Sequence, residues 1–187
     1  LIALTAGPYG IIGKAMASGR TAFAEEALKG LVELFPGRLY IELMRHGMDV
    51  ERRIEAPLID LALREHLPLV ATNDVYFAGA DMFEAHDALL CIAEGTYISE
   101  TNRRRLTPEH RFKSPEEMAA LFADLPEALE NTLHIAERCA AMSIARKPIL
   151  PRFESPECQD EAELLREQSR AGLEDRLAAH VYTDAMD

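Results

Sequence analysis

The sequence predicts an α/β fold built on a parallel sheet with crossover helices. Three observations carry that prediction. Short apolar runs suited to buried strands alternate with stretches of helical periodicity through the first two thirds of the chain. The runs at 1–4, 39–44 and 67–72 are each followed by turn signals and then by a segment long enough to cross back over a sheet. With 187 residues, 48% of them hydrophobic, the chain can bury a real core in one domain plus an appendage.

The elements follow in order. Residues 1–4 read as a strand, and Thr5-Ala6-Gly7-Pro8-Tyr9-Gly10 as a turn. Residues 22–35 read as a helix, with Phe23, Ala27, Leu31 and Leu34 spaced by three or four and Pro36-Gly37 as its stop. Residues 39–44 form the second strand. Asp49 is the expected N-cap of the next helix, whose face carries Ile54, Leu58, Leu61 and Ala62. Pro57 lies inside that pattern and is expected to kink or break it. Residues 67–72 form the third strand, and 81–93 a further helix.

A polar loop at 95–113 contains Arg103-Arg104-Arg105. Ser114-Pro115-Glu116-Glu117 then starts a helix with Ser114 as N-cap, Pro115 at the first position and Glu117 closing a capping box. Pro126 opens the next helix, running to about Met142. The Pro-rich stretch from Lys147 to Phe153 is the expected domain boundary, and residues 161–179 read as a charged helix.

Composition bounds the function. Twenty basic against 32 acidic side chains give a net charge of −12, so the chain is not expected to grip DNA strongly by itself. Cys91, Cys139 and Cys158 form no CxxC pair and read as free thiols of a reducing cytosol. No apolar run approaches the ~20 residues of a membrane span. The opening Leu1-Ile2-Ala3-Leu4 reads as a core strand without a polar lead-in. The chain is therefore expected to be a piece of a longer one, and aggregation-prone when expressed alone.

Few residues stand out for chemistry. Asp74, in Asn73-Asp74-Val75-Tyr76-Phe77, falls just past the third strand, where parallel α/β folds gather functional groups. It is a candidate metal ligand; the competing reading is an Asx residue capping a turn. His46 follows the second strand and is open to ligand or phosphate binding, or to being an exposed loop histidine. Glu42 lies within that strand with its facing undecided. His86 beside Asp87 reads as half-buried and hydrogen-bonded to structure. Arg103, Arg104 and Arg105 read as solvated, with contact to a nucleic-acid phosphate or an acidic partner surface as the alternative. There is no HxH or HxxxH pair, no GxSxG, no Walker A and no GxGxxG.

Several stretches in a fixed order resemble the alpha subunit of bacterial DNA polymerase III, in the second half of its PHP (polymerase and histidinol phosphatase) domain. They are Leu1–Leu4 with the Gly-containing turn, Tyr40-Ile41-Glu42-Leu43, Leu67 through Val75, and Glu84-Ala85-His86-Asp87. Phe122-Ala123-Asp124-Leu125-Pro126-Glu127-Ala128-Leu129, Ile135-Ala136-Glu137-Arg138-Cys139 and Leu150-Pro151-Arg152-Phe153 complete the set. The resemblance implies part of a distorted seven-stranded (βα) barrel, followed by helices leading into the polymerase palm. On that reading 1–100 is the barrel's C-terminal half, 101–152 its helical extension, and 153–187 the linker and start of the palm.

It also implies a DNA-directed DNA polymerase at full length, cytoplasmic, with Mg at carboxylates outside this chain. Active PHP members place a Cys where this chain has Gly7, and an Asp-x-His where it has Asp74 and Tyr76. The expectation is a degenerate metal site with no bound ion, on a structural domain. A proofreading exonuclease subunit and other replicase subunits are the expected partners, DNA being contacted by regions outside this chain. Two readings compete: an active PHP metal-dependent phosphoesterase or 3′–5′ exonuclease, and an unrelated barrel phosphate-ester hydrolase keeping Asp74 and His46 as ligands.

Overall fold

The computed structural model describes residues 1–139 and 160–178. It divides into two compact units, Leu1–Ala141 and Met142–Asp187. The expected boundary from Lys147 to Phe153, and Cys158, lie outside the described residues.

The first unit is a three-stranded, all-parallel sheet packed by helices. Its strands are β1 (Ala3–Leu4), β2 (Leu39–Met44) and β3 (Leu69–Thr72), in the order β1-β2-β3. Ala3 pairs with Leu39, and Ile41 with Leu69 through Met44 with Thr72. The central strand is buried along Leu39–Leu43, as expected of an apolar run covered on both faces.

Helices α1 (Ile11–Ala17), α2 (Thr21–Leu34) and α3 (Asp49–Arg64) supply much of the core. Ile12, Leu28, Ile54, Leu58 and Leu61 pack there with Leu39, Ile41 and Leu43. Helix α4 (Phe83–Glu94) follows a 3-10 turn at Ala80–Met82, and α5 (Pro115–Leu121) and α6 (Pro126–Arg138) complete the unit. Helix α6 packs on β3, and its Asn131 donates to the Leu69 carbonyl at 2.8 Å. Because the neighbouring Pro68 carbonyl faces β2, the Leu69 carbonyl points off the sheet edge, and Asn131 satisfies it.

The capping box at Ser114 is present: Ser114 Oγ accepts from the Glu117 amide, and Glu117 accepts from the Ser114 amide. Arg45 ties the α5–α6 joint to α3. Its guanidinium donates to Glu55 and Asp124 and lies 4.5 Å from the centre of the buried Phe122 ring. Both carboxylates push the Arg45 pKa above its ordinary value.

Two expectations need correction, and one element was not foreseen. Helix α3 runs unbroken through Pro57. The proline and Arg53, whose carbonyl loses its helical donor there, are both exposed, so the missing bond falls on the wet side while the Ile54–Leu58–Leu61 stripe stays in phase. Asp49 is the first helical residue rather than the cap; Met48 holds that position, and the Glu51 carboxylate accepts its amide at 3.1 Å. Helix α1 occupies a stretch, Ile11–Ala17, to which the sequence reading gave no element. The chain turns through Ala6 and Gly7, both left-handed, and a Cβ at Gly10 would strike the Thr5 carbonyl, so only glycine fits there.

In the second unit, α7 (Glu161–Ala178) is the charged helix expected from the sequence, with Leu165, Leu173 and Leu177 exposed. Among the described residues no helix is long and apolar enough to cross a membrane.

Candidate functional site

The carboxyl ends of β2 and β3 bring His46, Asn73 and Asp74 together. Past Met44 the chain turns at Gly47, and α3 starts with Glu51 facing back toward the strand end. His46 is only 1% exposed, so it is not the exposed loop histidine that was one of its two readings. Its Nδ1 lies 2.7 Å from Glu51 Oε1, and its own amide donates to Glu51 Oε2 at 2.7 Å. The Glu51 carboxylate, an acceptor, places a proton on Nδ1, and the Asp74 amide points at Nε2 from 3.1 Å. Asn73 Oδ1 lies 3.1 Å from the same Nε2.

Burial pushes Glu51 up, but the hydrogen bonds from the His46 ring and from the Met48 and His46 amides outweigh it and hold the carboxyl below its ordinary 4.5. Glu42, undecided from sequence, is buried, and Thr72 Oγ1 donates to it at 2.6 Å.

A residue the sequence reading passed over completes the cluster. His110, at the end of the 3-10 turn Pro108–His110, is fully buried and stacks on His46 with ring centroids 4.1 Å apart. Its Nδ1 accepts from the Thr107 amide at 3.1 Å, and Thr107 Oγ1 donates to the His46 carbonyl at 2.6 Å. Burial, and His46 beside it, hold the His110 imidazole below its ordinary 6.5. Thr107-Pro108 marks a turn in the sequence, yet no spacing rule ties that turn to a strand end so far up the chain. Lys113 is also buried, donating to the Glu109 carbonyl and, at 3.4 Å, to Asn73 Oδ1.

Around the cluster sit the residues named from sequence. Asp74 is bound through its amide to His46. Tyr76 is 38% exposed; Arg104 donates to its hydroxyl at 3.2 Å, and the ring packs edge-on to His86 and His110. Burial, with Asp74 and Glu51 nearby, raises the Tyr9 phenol above its ordinary 10. Gly7 has φ +46°, and a Cβ on it would lie 3.0 Å from Met44 Sδ. Two corrections belong here. His86 is half-buried, but its Nδ1 has no hydrogen-bond partner among the described residues. Arg103 is not solvated: its side chain is 2% exposed and grips Asp87 through two 2.6 Å bonds, which hold the Asp87 carboxyl below its ordinary 3.8. Arg105 remains exposed, 3.9 Å from Asp87. Among the described residues no three His, Cys, Asp or Glu side chains are gathered closely enough to hold a metal ion.

Polar side chains gathered at the strand ends of a parallel sheet define a class of α/β segment whose functional groups sit at one mouth. No family model matches the chain. Curated proteins do. It is 50% identical over 177 residues to a protein of Caulobacter vibrioides, covering 95% of this chain and 16% of that protein. It is 43% identical over 189 residues to one of Pseudomonas aeruginosa, covering 100% and 16%, and 37% identical over 179 residues to one of Escherichia coli, covering 95% and 15%. All three bear the name DNA polymerase III subunit alpha. The chain is thus homologous, over nearly its whole length, to one stretch of the alpha subunits of bacterial DNA polymerase III. It spans only 15–16% of the length of these relatives.

Proposed function

We propose that this chain is a structural and partner-docking part of the PHP region of a replicative polymerase's alpha subunit. At full length that protein is a cytoplasmic DNA-directed DNA polymerase, with Mg at carboxylates elsewhere. The observation that carries the reading is homology to that subunit, at 37–50% identity over 95% or more of this chain. The net charge of −12 supports a role in which DNA is held by other parts of the subunit.

The strand-end residues fit a metal cluster poorly. At the three positions where an active PHP site places a thiolate, a carboxylate and an imidazole, this chain has Gly7, Asp74 and Tyr76. Glycine offers no donor, and the Tyr76 hydroxyl is engaged by Arg104. His46 is a poor substitute ligand, since both ring nitrogens are already engaged, Nδ1 by Glu51 and Nε2 by the Asp74 amide and Asn73 Oδ1. These observations favour a degenerate site over both the active phosphoesterase and a hydrolase using Asp74 and His46.

Two measurements test the reading. Elemental analysis of the full-length protein is expected to find little zinc or manganese; near-stoichiometric metal that Asp74→Ala abolishes would overturn the degenerate site. Co-purification with the proofreading exonuclease subunit is expected, and a folded full-length protein that fails to retain that subunit would overturn docking.

A further inference from the structure

Residues 96–113 cross the strand-end mouth and are fastened at two separate places. The first fastening is the buried Arg103–Asp87 pair, which holds the segment to α4. Arg103 also donates to the carbonyls of Ile98, Glu100 and Arg104, so the chain wraps around its side chain. The second fastening is the turn at His110. Here the His46–His110 stack is joined by Thr107 to the His46 carbonyl, Asn73 Nδ2 to the Arg111 carbonyl at 2.9 Å, and the Tyr76 amide to the His110 carbonyl at 2.9 Å. The Phe112 amide donates back to the Phe77 carbonyl at 2.9 Å.

Two imidazole nitrogens at this mouth, His86 Nδ1 on α4 and His110 Nε2 in the segment's own turn, are buried with no hydrogen-bond partner among the described residues. Both rings pack edge-on against Tyr76, with centroids 5.5 and 5.9 Å away. An unpaired buried nitrogen penalises the closed arrangement, because opening returns it to water. The β2–β3 ladder carries no such penalty; its apolar side chains lose on exposure. Local stability is therefore lower at the mouth than in the sheet beneath it.

We propose that residues 96–113 are a latched strap that opens as one unit while the sheet stays intact, uncovering His46, Asn73 and Asp74 together. Asp87 is its anchor and the His110 turn its latch. The unpaired nitrogens bias the latch toward release.

Hydrogen–deuterium exchange on the full-length protein tests this. The amides of Tyr76, Thr107, His110 and Phe112 are expected to exchange as one group, about tenfold or more faster than those of Ile41 and Glu42 in β2. Asp87→Asn is expected to accelerate the strap group alone. His86→Phe keeps the packing on Tyr76 and Phe77 but removes the unpaired nitrogen, and is expected to slow that group. The strap is overturned if its wild-type amides exchange at the sheet's rate. It is equally overturned if Asp87→Asn accelerates both groups together or prevents folding, or if His86→Phe speeds the strap.

Discussion

The sheet with its helices and the mouth above it are held together by different physics. In the sheet layer, side chains such as Ile41, Leu58, Leu61 and Phe122 are fully or nearly fully buried and interchangeable in kind; what matters is apolar area and fit. At the mouth, contacts are directional and made by particular partners: Glu51 for His46, Asp87 for Arg103, Thr107 for the His46 carbonyl. The first region gains by excluding water, and tolerates errors of detail. The second has already given up its water, and a single missing partner leaves a buried group unpaired.

The comparison can be broken in order of expected effect. Phe122→Ala should cost the most, about 3–5 kcal/mol, by opening a cavity in the core and removing the ring under Arg45. Urea denaturation of the full-length protein would read it as an earlier first transition; no change would mean that the core does not close around this ring. Glu51→Ala comes next. It strands the His46 ring proton and the His46 and Met48 amides, a loss of about 3 kcal/mol. Glu51→Gln should recover part of that loss, since an amide oxygen still accepts; equal losses in the two variants would argue against the directional account.

Ser114→Ala should cost about 1 kcal/mol, the ordinary value of a lost N-cap. It touches neither region's centre and serves as the reference. The smallest effect is the pH dependence of the mouth. His110 is held below its ordinary 6.5 when folded, so on acidification the unfolded chain takes up the proton first. Its contribution is therefore complete above pH 6.5 and is lost as the pH falls from there toward the lowered folded value. A second decline should begin near pH 4.5, as Glu51, Asp87 and Asp124, all held below their ordinary values, become protonated. Thermal melts from about pH 8 down to about pH 2 should show both phases, and His110→Phe should remove the first alone.

The same contrast explains what could be read from the sequence. Strands β2 and β3, and helices α2 to α6, were legible because periodicity and caps are local signals: the run Leu39–Met44, the face from Ile54 to Leu61, the box at Ser114 and Glu117. The position of Asp74 past a strand was legible for the same reason. The partners of His46 were not. Glu51 lies close in sequence but on a helix whose start was misplaced by one residue, and His110 arrives on a long loop by contacts that no period records. Arg103 looked like one of three equivalent loop arginines, and only the fold distinguishes the one that reaches Asp87. The reading also lost α1, because Gly7-Pro8-Tyr9-Gly10 signals a turn so strongly that it hid the short helix behind it.

The backbone at Gly7 limits which side chains this strand end can carry. A thiol placed there by one substitution would enter a left-handed conformation, costing about 1–2 kcal/mol, and its first carbon would crowd the thioether of Met44. The Met44 side chain would have to give way by a few tenths of an ångström to admit it. Position 7 thus favours glycine twice over, by its backbone angle and by the room left beside Met44.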